Sequence, residues 1–198
     1  MLIFIRHGEI SKNDNLNLSS AGYVRRNTLS EFFLQKYNKN LNIPEHIIIP
    51  LQQNICFQTV SLLAYDSKLK IEKVNTEHSD FDNLVSVLKK NINTDILVCM
   101  DHYQLIKLIE SLIYKIYKKK IKLKWSKNPL NKEDIDDYSS IFVFDPIKHV
   151  LNVYNQFDVI YNEKYKRYDV DFNNIQENPI ISINFNKTYI QWIKSFFS

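Results

Sequence analysis

Apolar residues in this chain fall into two alternating kinds of segment: short unbroken runs, and longer stretches where they recur every three or four positions. Leu2-Ile3-Phe4-Ile5, Ile47-Ile48-Ile49 (closed by Pro50) and Ile96-Leu97-Val98-Cys99-Met100 have the length of buried strands, and Leu69 to Val74 reads as a further one. Between the runs the period changes to that of a helix. Ser19 to about Tyr37 places Leu29, Phe32, Phe33 and Tyr37 on one side, with Ser19 or Ser20 as its cap. Cys56 to Ala64 predicts a second helix, and Phe81 to Lys90 a third with Leu84, Val87 and Leu88 inward. Tyr103 to about Lys119 is the most amphipathic, carrying Leu105, Ile106, Ile109, Leu112, Ile113 and Ile116 at helical spacing. Ile141 to Phe144 and Val150 to Tyr154 read as two strands turned at Asp145-Pro146. From Asn162 the chain is polar and Asn-rich, ending in Ile180 to Phe185 and an aromatic helix around Trp192. Strand alternating with helix predicts an α/β fold. Residues 1–198 read as one domain, of which about 157–198 form a C-terminal elaboration.

Composition narrows the picture without deciding it. Hydrophobic content of 44% and charged content of 24% are ordinary for a globular protein. A net charge of +4 and a pI near 8.8 are too mild for a dedicated nucleic-acid binder. No run approaches the roughly twenty apolar residues of a membrane span, and Arg6 interrupts the apolar start too early for a signal peptide. Cys56 and Cys99 lie in apolar surroundings without metal-ligand spacing, as buried reduced thiols of a cytoplasmic protein would. Neither a metal nor a cofactor is implied.

Two scarcities are more telling. The chain has only two glycines, Gly8 and Gly22, where ordinary usage of roughly 7% would give about fourteen. Its arginines are only Arg6, Arg25, Arg26 and Arg167, against many lysines, as in the product of an AT-rich gene. Both rare residues meet in Arg6-His7-Gly8-Glu9, directly after the first apolar run. A glycine there predicts backbone freedom or close approach of a ligand. A second histidine, His102, follows the Ile96–Met100 run and Asp101. In an open α/β sheet ligands bind beyond the carboxyl ends of the strands. If the two strands are neighbours, both imidazoles and the Arg6 guanidinium converge. An imidazole can attack phosphorus, a guanidinium forks onto two phosphate oxygens, and a second histidine stabilises charge on the equatorial oxygens. A carboxylic acid would then protonate the leaving oxygen.

These residues resemble the histidine phosphatase superfamily, with its phosphoglycerate-mutase-like fold. Arg6-His7-Gly8-Glu9 matches the family's opening signature, and Leu18-Ser19-Ser20-Ala21-Gly22 its helix entry "LTxxG". Ile96 to Leu108 is similar to its second-histidine segment, in a branch that reads "LICWEH", and Tyr138 to Gln156 to that branch's closing strand pair. The resemblance covers about residues 1–156. It implies a three-layer sandwich with a mainly parallel central sheet, and a phosphomonoesterase in which His7 forms a phosphohistidine. Arg6, His102 and Asn13 would bind the phosphoryl group.

One departure stands out. The family sets a second arginine shortly before a Q-T pair, and here Ile55 precedes Cys56-Phe57-Gln58-Thr59. By analogy with a lost oxyanion donor, one missing clamp costs about 2.7–4 kcal/mol, or a hundred- to a thousandfold in rate. Arg25, Arg26 or a lysine would have to replace it. Two residues are candidates for the acid: Glu77, where many members carry theirs, and Asp101, which strand alternation can turn to the opposite face. The short stretch after Thr76 leaves no room for a large cap, which argues against a mutase. It suits a small phosphorylated molecule or a phosphoprotein as partner. The alternative is a catalytically inactive member with a binding or structural role.

The remaining motifs have plainer readings. His46, His78 and His149 read as surface or loop residues. Lys115 to Lys127, interleaved with Tyr117 and Trp125, could touch nucleic acid or an acidic membrane, but suits the solvated end of a helix, where lysines complement the dipole. The tail around Tyr189, Trp192, Phe196 and Phe197 is read as docked core.

Overall fold

The computed structural model describes residues 1–34, 41–76, 78–125, 138, 140–156, 166–171 and 180–183. Its strands are β1 (Leu2–Arg6), β2 (His46–Pro50), β3 (Ile71–Val74), β4 (Ile96–Met100), β5 (Lys122–Trp125), β6 (Ser140–Asp145), β7 (Val150–Asn155), β8 (Lys166–Asp171) and β9 (Ile180–Ile183). Its helices are α1 (Ser20–Leu34), α2 (Asn54–Asp66), α3 (His78–Lys90) and α4 (His102–Tyr117).

Every residue of β1 and of β4 is buried, as strands covered on both faces must be. They pair in parallel from Leu2–Ile96 to Arg6–Met100, at the centre of a sheet ordered β3-β2-β4-β1-β6-β7-β8. The half from β3 to β1 is parallel, and β6, β7 and β8 continue it as antiparallel neighbours. Leu2 and Phe4 point into one hydrophobic cluster with Leu105, Leu108, Ile109 and Leu112 of α4 and Leu84, Val85 and Leu88 of α3. Ile3 and Ile5 point into the other, with Leu29, Phe32 and Phe33 of α1 and Cys56, Val60 and Leu63 of α2. The result is a three-layer α/β sandwich.

The order of the strands creates the crevice. The chain leaves β1 through α1 on one face of the sheet and leaves β4, its immediate neighbour, through α4 on the other. Helices departing to opposite faces from adjacent parallel strands open a gap at the carboxyl edge, where ligands of such sheets bind.

Some expectations are corrected. On α3 it is Val85 that is buried, at 1% exposure, while Val87 is 45% exposed. Val85 falls four positions after Phe81 and three before Leu88, on the helical stripe that Val87 misses. The polar C-terminal segment contributes β8, and β9 pairs with β5 in a separate two-stranded sheet. Tyr37, Trp192 and the aromatic tail lie outside the described residues. Among those described, no helix is long and apolar enough to cross a membrane.

Candidate functional site

The two glycines turn out to serve one contact. Neither has positive φ, and among the described residues the left-handed positions are taken by Lys68, Lys118 and His149. A Cβ on Gly8 would meet Leu18 Cδ2 at 3.1 Å and the Gly22 Cα and carbonyl at 3.3 Å, and one on Gly22 would overlap the Glu9 carbonyl oxygen. The glycines therefore let α1 press against the loop after β1, and at Gly8 this chain contact, not a left-handed backbone, makes use of the missing side chain. Side chains of α2 staple the same loop. Thr59 Oγ1 accepts the Gly8 N–H (2.8 Å), and Gln58 accepts the Leu18 N–H (3.0 Å) while donating to Asn17 Oδ1 (2.7 Å). The Q-T pair thus has a structural duty independent of any arginine beside it.

On this platform His7 follows β1, its N–H donating to the Met100 carbonyl at the end of β4 (3.1 Å). Nδ1 lies 2.8 Å from the Gly8 carbonyl oxygen. A carbonyl only accepts, so Nδ1 carries the proton and Nε2 keeps the lone pair. Burial lowers the pKa of His7, the Gly8 carbonyl opposes that, and the Arg6 charge adds to it, with Asp101 and Glu9 pulling upward.

His102 opens α4, and Asp101 is the N-cap. One Asp101 oxygen accepts the N–H groups of Tyr103 (2.9 Å) and Gln104 (3.0 Å). The other accepts Gln53 Nε2 from the start of α2 (3.0 Å), and the Gln53 oxygen in turn accepts from Cys56 Sγ (2.9 Å). Burial lowers the His102 pKa to about 4, helped by Arg6 and by His7 and opposed by Asp101. His7 follows β1 and His102 opens α4 just beyond β4, and the charges of Arg6 and Asp101 act on both imidazoles.

Arg6 is 7% exposed and lies 3.7 Å over the centroid of the Tyr138 ring, whose centroid is 5.9 Å from that of His7. The ring covers one face of the guanidinium, a cation–π contact. Arg25 does not supply the missing clamp. It is fully buried and spans Glu9 with two bonds (2.6 and 2.8 Å), also donating to the Tyr138 carbonyl and to Gln156 (3.3 Å). Arg26 lies against Asn27 and the Tyr23 ring. Ile55 is half-buried in the first turn of α2.

The other expectations are distributed unevenly. Asn13 is exposed on the loop, its backbone N–H on Ser11 Oγ (3.3 Å). Glu77 lies outside the described residues; Thr76 before it accepts from Gln104 (3.4 Å). Cys56 and Cys99 are buried free thiols, and burial together with the contact to Cys99 holds Cys56 well above the ordinary thiol range. His46 is exposed on β2 beside Glu72 (2.9 Å), and His149 accepts or donates to the Tyr117 hydroxyl (2.7 Å) at the turn between β6 and β7. Among the described residues no group of three or more His, Cys, Asp or Glu could hold a metal ion. Sequence reasoning missed the contacts of Tyr138 and Gln53. Tyr138 was visible only as the start of the closing strand pair, and Gln53 as a residue preceding a helix.

A three-layer α/β sandwich with two imidazoles and a guanidinium at adjacent strand ends defines the class of site. No family model and no curated protein matches the chain. Among solved structures it is similar to a candidate α-ribazole-5′-P phosphatase from Escherichia coli K-12, at 11% identity and a TM-score of 0.48, covering 78% of this chain and 95% of that one. The α-ribazole phosphatase from Shigella flexneri is similar at 11% identity and a TM-score of 0.43, covering 73% and 91%. A phosphoserine phosphatase from Entamoeba histolytica, in complex with phosphoserine, is similar at 16% identity and a TM-score of 0.38, covering 73% and 91%. These likenesses are distant, and the chemistry of the site rests on its own residues.

Proposed function

We propose that the chain is a phosphomonoesterase of the histidine phosphatase type, acting through a phosphohistidine on His7. The observation that carries this reading is the tautomer of His7: Nδ1–H is tied to the Gly8 carbonyl, which leaves Nε2 as the nucleophile. Arg6 and His102 hold the phosphoryl oxygens, with Asn13 assisting from the loop. As the Nε2–P bond forms, the bond from phosphorus to the leaving oxygen breaks, and that oxygen takes a proton. Water then attacks the phosphohistidine, releasing inorganic phosphate and restoring the imidazole. Glu77 is the candidate proton donor, because both Asp101 oxygens are already occupied as acceptors. Asp101 positions His102 by capping α4. The substrate is a phosphorylated small molecule or a phosphoprotein.

A second reading is supported by Ile55. With Arg25 committed to Glu9 and an aliphatic residue at the α2 position, Arg6 is, among the described residues, the cation whose charge reaches both imidazoles. Such a site can bind a phosphoryl group yet turn over slowly, as in an inactive member retained for binding.

The test is to incubate wild type and His7→Ala with an aryl phosphate and assay for release and for acid-labile phosphate on the protein. Turnover and labelling in wild type, both lost in the variant, are expected. No turnover and no labelling in wild type would remove the enzyme reading and leave the binding one.

A further inference from the structure

The substrate's other half can be read from what surrounds the cradle. Tyr103 is 65% exposed, although its ring lies against that of His102, with centroids 3.8 Å apart. Its backbone is fixed, because its N–H is held by the Asp101 cap (2.9 Å). Tyr138 covers Arg6 and approaches His7. Each imidazole thus has an aromatic ring near it, and the one beside His102 is turned to solvent.

Two chemical arguments give this arrangement a substrate. With Arg6 as the clamp, the phosphoryl group gains less binding energy than a two-arginine site gives, so the organic group must contribute more. Furthermore, among the described residues the carboxylates whose charge reaches His7 are committed, Asp101 to the α4 N-terminus and Glu9 to Arg25. A leaving group that departs readily as an anion depends least on a proton donor, and a phenol, with a pKa of about 10, is such a group.

Resting on the phosphoryl cradle proposed above, we infer that the substrate is a monophosphate ester of an aromatic alcohol, whose ring stacks on Tyr103. Phosphorus passes to His7 Nε2, the aryl–oxygen bond stays intact, and the phenolic oxygen leaves with the P–O electron pair and takes up a proton, depending less on the acid than an alkoxide would. Tyr103 is then a specificity-determining residue.

Binding of phenylphosphonate and methylphosphonate, neither of which can be hydrolysed, separates the two halves of the site. Calorimetric titration of wild type should show phenylphosphonate bound roughly two- to tenfold more tightly, the range for an aromatic pair. Tyr103→Phe should keep that ratio and Tyr103→Ala should bring it close to one. Equal affinity for the two ligands in wild type, or a ratio that survives Tyr103→Ala, overturns the aromatic subsite while the cradle stands. Absence of binding by both ligands in wild type overturns the cradle, and the subsite with it.

Discussion

The guanidinium carbon of Arg6 lies 3.7 Å over the centroid of the Tyr138 ring, so that the end of β1 is organised by a residue contributed from just before β6. Long side chains that bind anions lose rotamer freedom on binding, and a ring that holds the guanidinium beforehand removes part of that loss. Tyr138→Ala should weaken inorganic phosphate binding by roughly 2- to 30-fold, the equivalent of about 0.5–2 kcal/mol for a cation–π contact. Tyr138→Phe should bind as wild type, because the Tyr138 group that Arg25 uses is the backbone carbonyl. Equal phosphate affinity in all three proteins would show that the stack plays no part in positioning Arg6.

Gly22 packs where a side chain has no room. A Cβ there overlaps the Glu9 carbonyl, the same oxygen that accepts the Ser19 N–H (2.8 Å) at the entry to α1. Alanine normally improves an internal helical position by about 1 kcal/mol. Here Gly22→Ala should destabilise the protein by about 1–3 kcal/mol, the usual penalty of overpacking, measured as a lower urea midpoint at unchanged slope. Because the displaced loop carries Gly8 and Glu9, phosphate affinity should fall as well. A stability equal to or above wild type would mean that the close approach of α1 to this loop is wrong.

Much of this was legible along the chain. β1 and β4 announced themselves as unbroken apolar runs, since strands buried on both faces cannot alternate. Their adjacency is only a condition in the sequence reading, and the structure meets it, down to the Arg6–Met100 pair. The scarcity of glycine pointed correctly to Gly8, though the physical cause proved to be contact with Gly22. What stayed hidden depends on partners distant in sequence. Nothing local in Tyr138 says that it faces Arg6, and nothing near Arg25 says that Glu9 occupies it. Gln58 and Thr59, beside Ile55, hold a loop, a duty that motif spacing alone does not separate from catalysis.

His102 gives the site a pH signature. Folding lowers its pKa from 6.5 to about 4, through burial first and the Arg6 charge second. Between those values the unfolded chain binds a proton at this residue and the folded chain does not, so stability falls as pH drops through that window and levels off below it. The lowered pKa of His7 acts in the same direction. Urea midpoints measured from pH 7 to pH 4 should therefore decline, and His102→Asn, which cannot titrate, should decline less steeply. Parallel curves for the two proteins would mean that His102 keeps an ordinary pKa in the folded state.

Ile55 offers the most direct way to separate the enzyme from its silent alternative. Its carbonyl accepts the Thr59 hydroxyl (2.8 Å), which in turn accepts the Gly8 N–H beside His7 (2.8 Å), so the first turn of α2 is two hydrogen bonds from the nucleophile's neighbour. An arginine introduced here adds a flexible cation to that turn, and Ile55 is half-buried, so a long side chain has room. If one absent clamp is what limits the site, Ile55→Arg should raise kcat/KM for an aryl phosphate by about a hundred- to a thousandfold and tighten phosphate binding. Ile55→Gln, similar in length without charge, should do neither. An arginine variant that folds as wild type yet gains neither affinity nor turnover would place the deficiency elsewhere, with the proton donor as the next group to vary through Glu77→Gln.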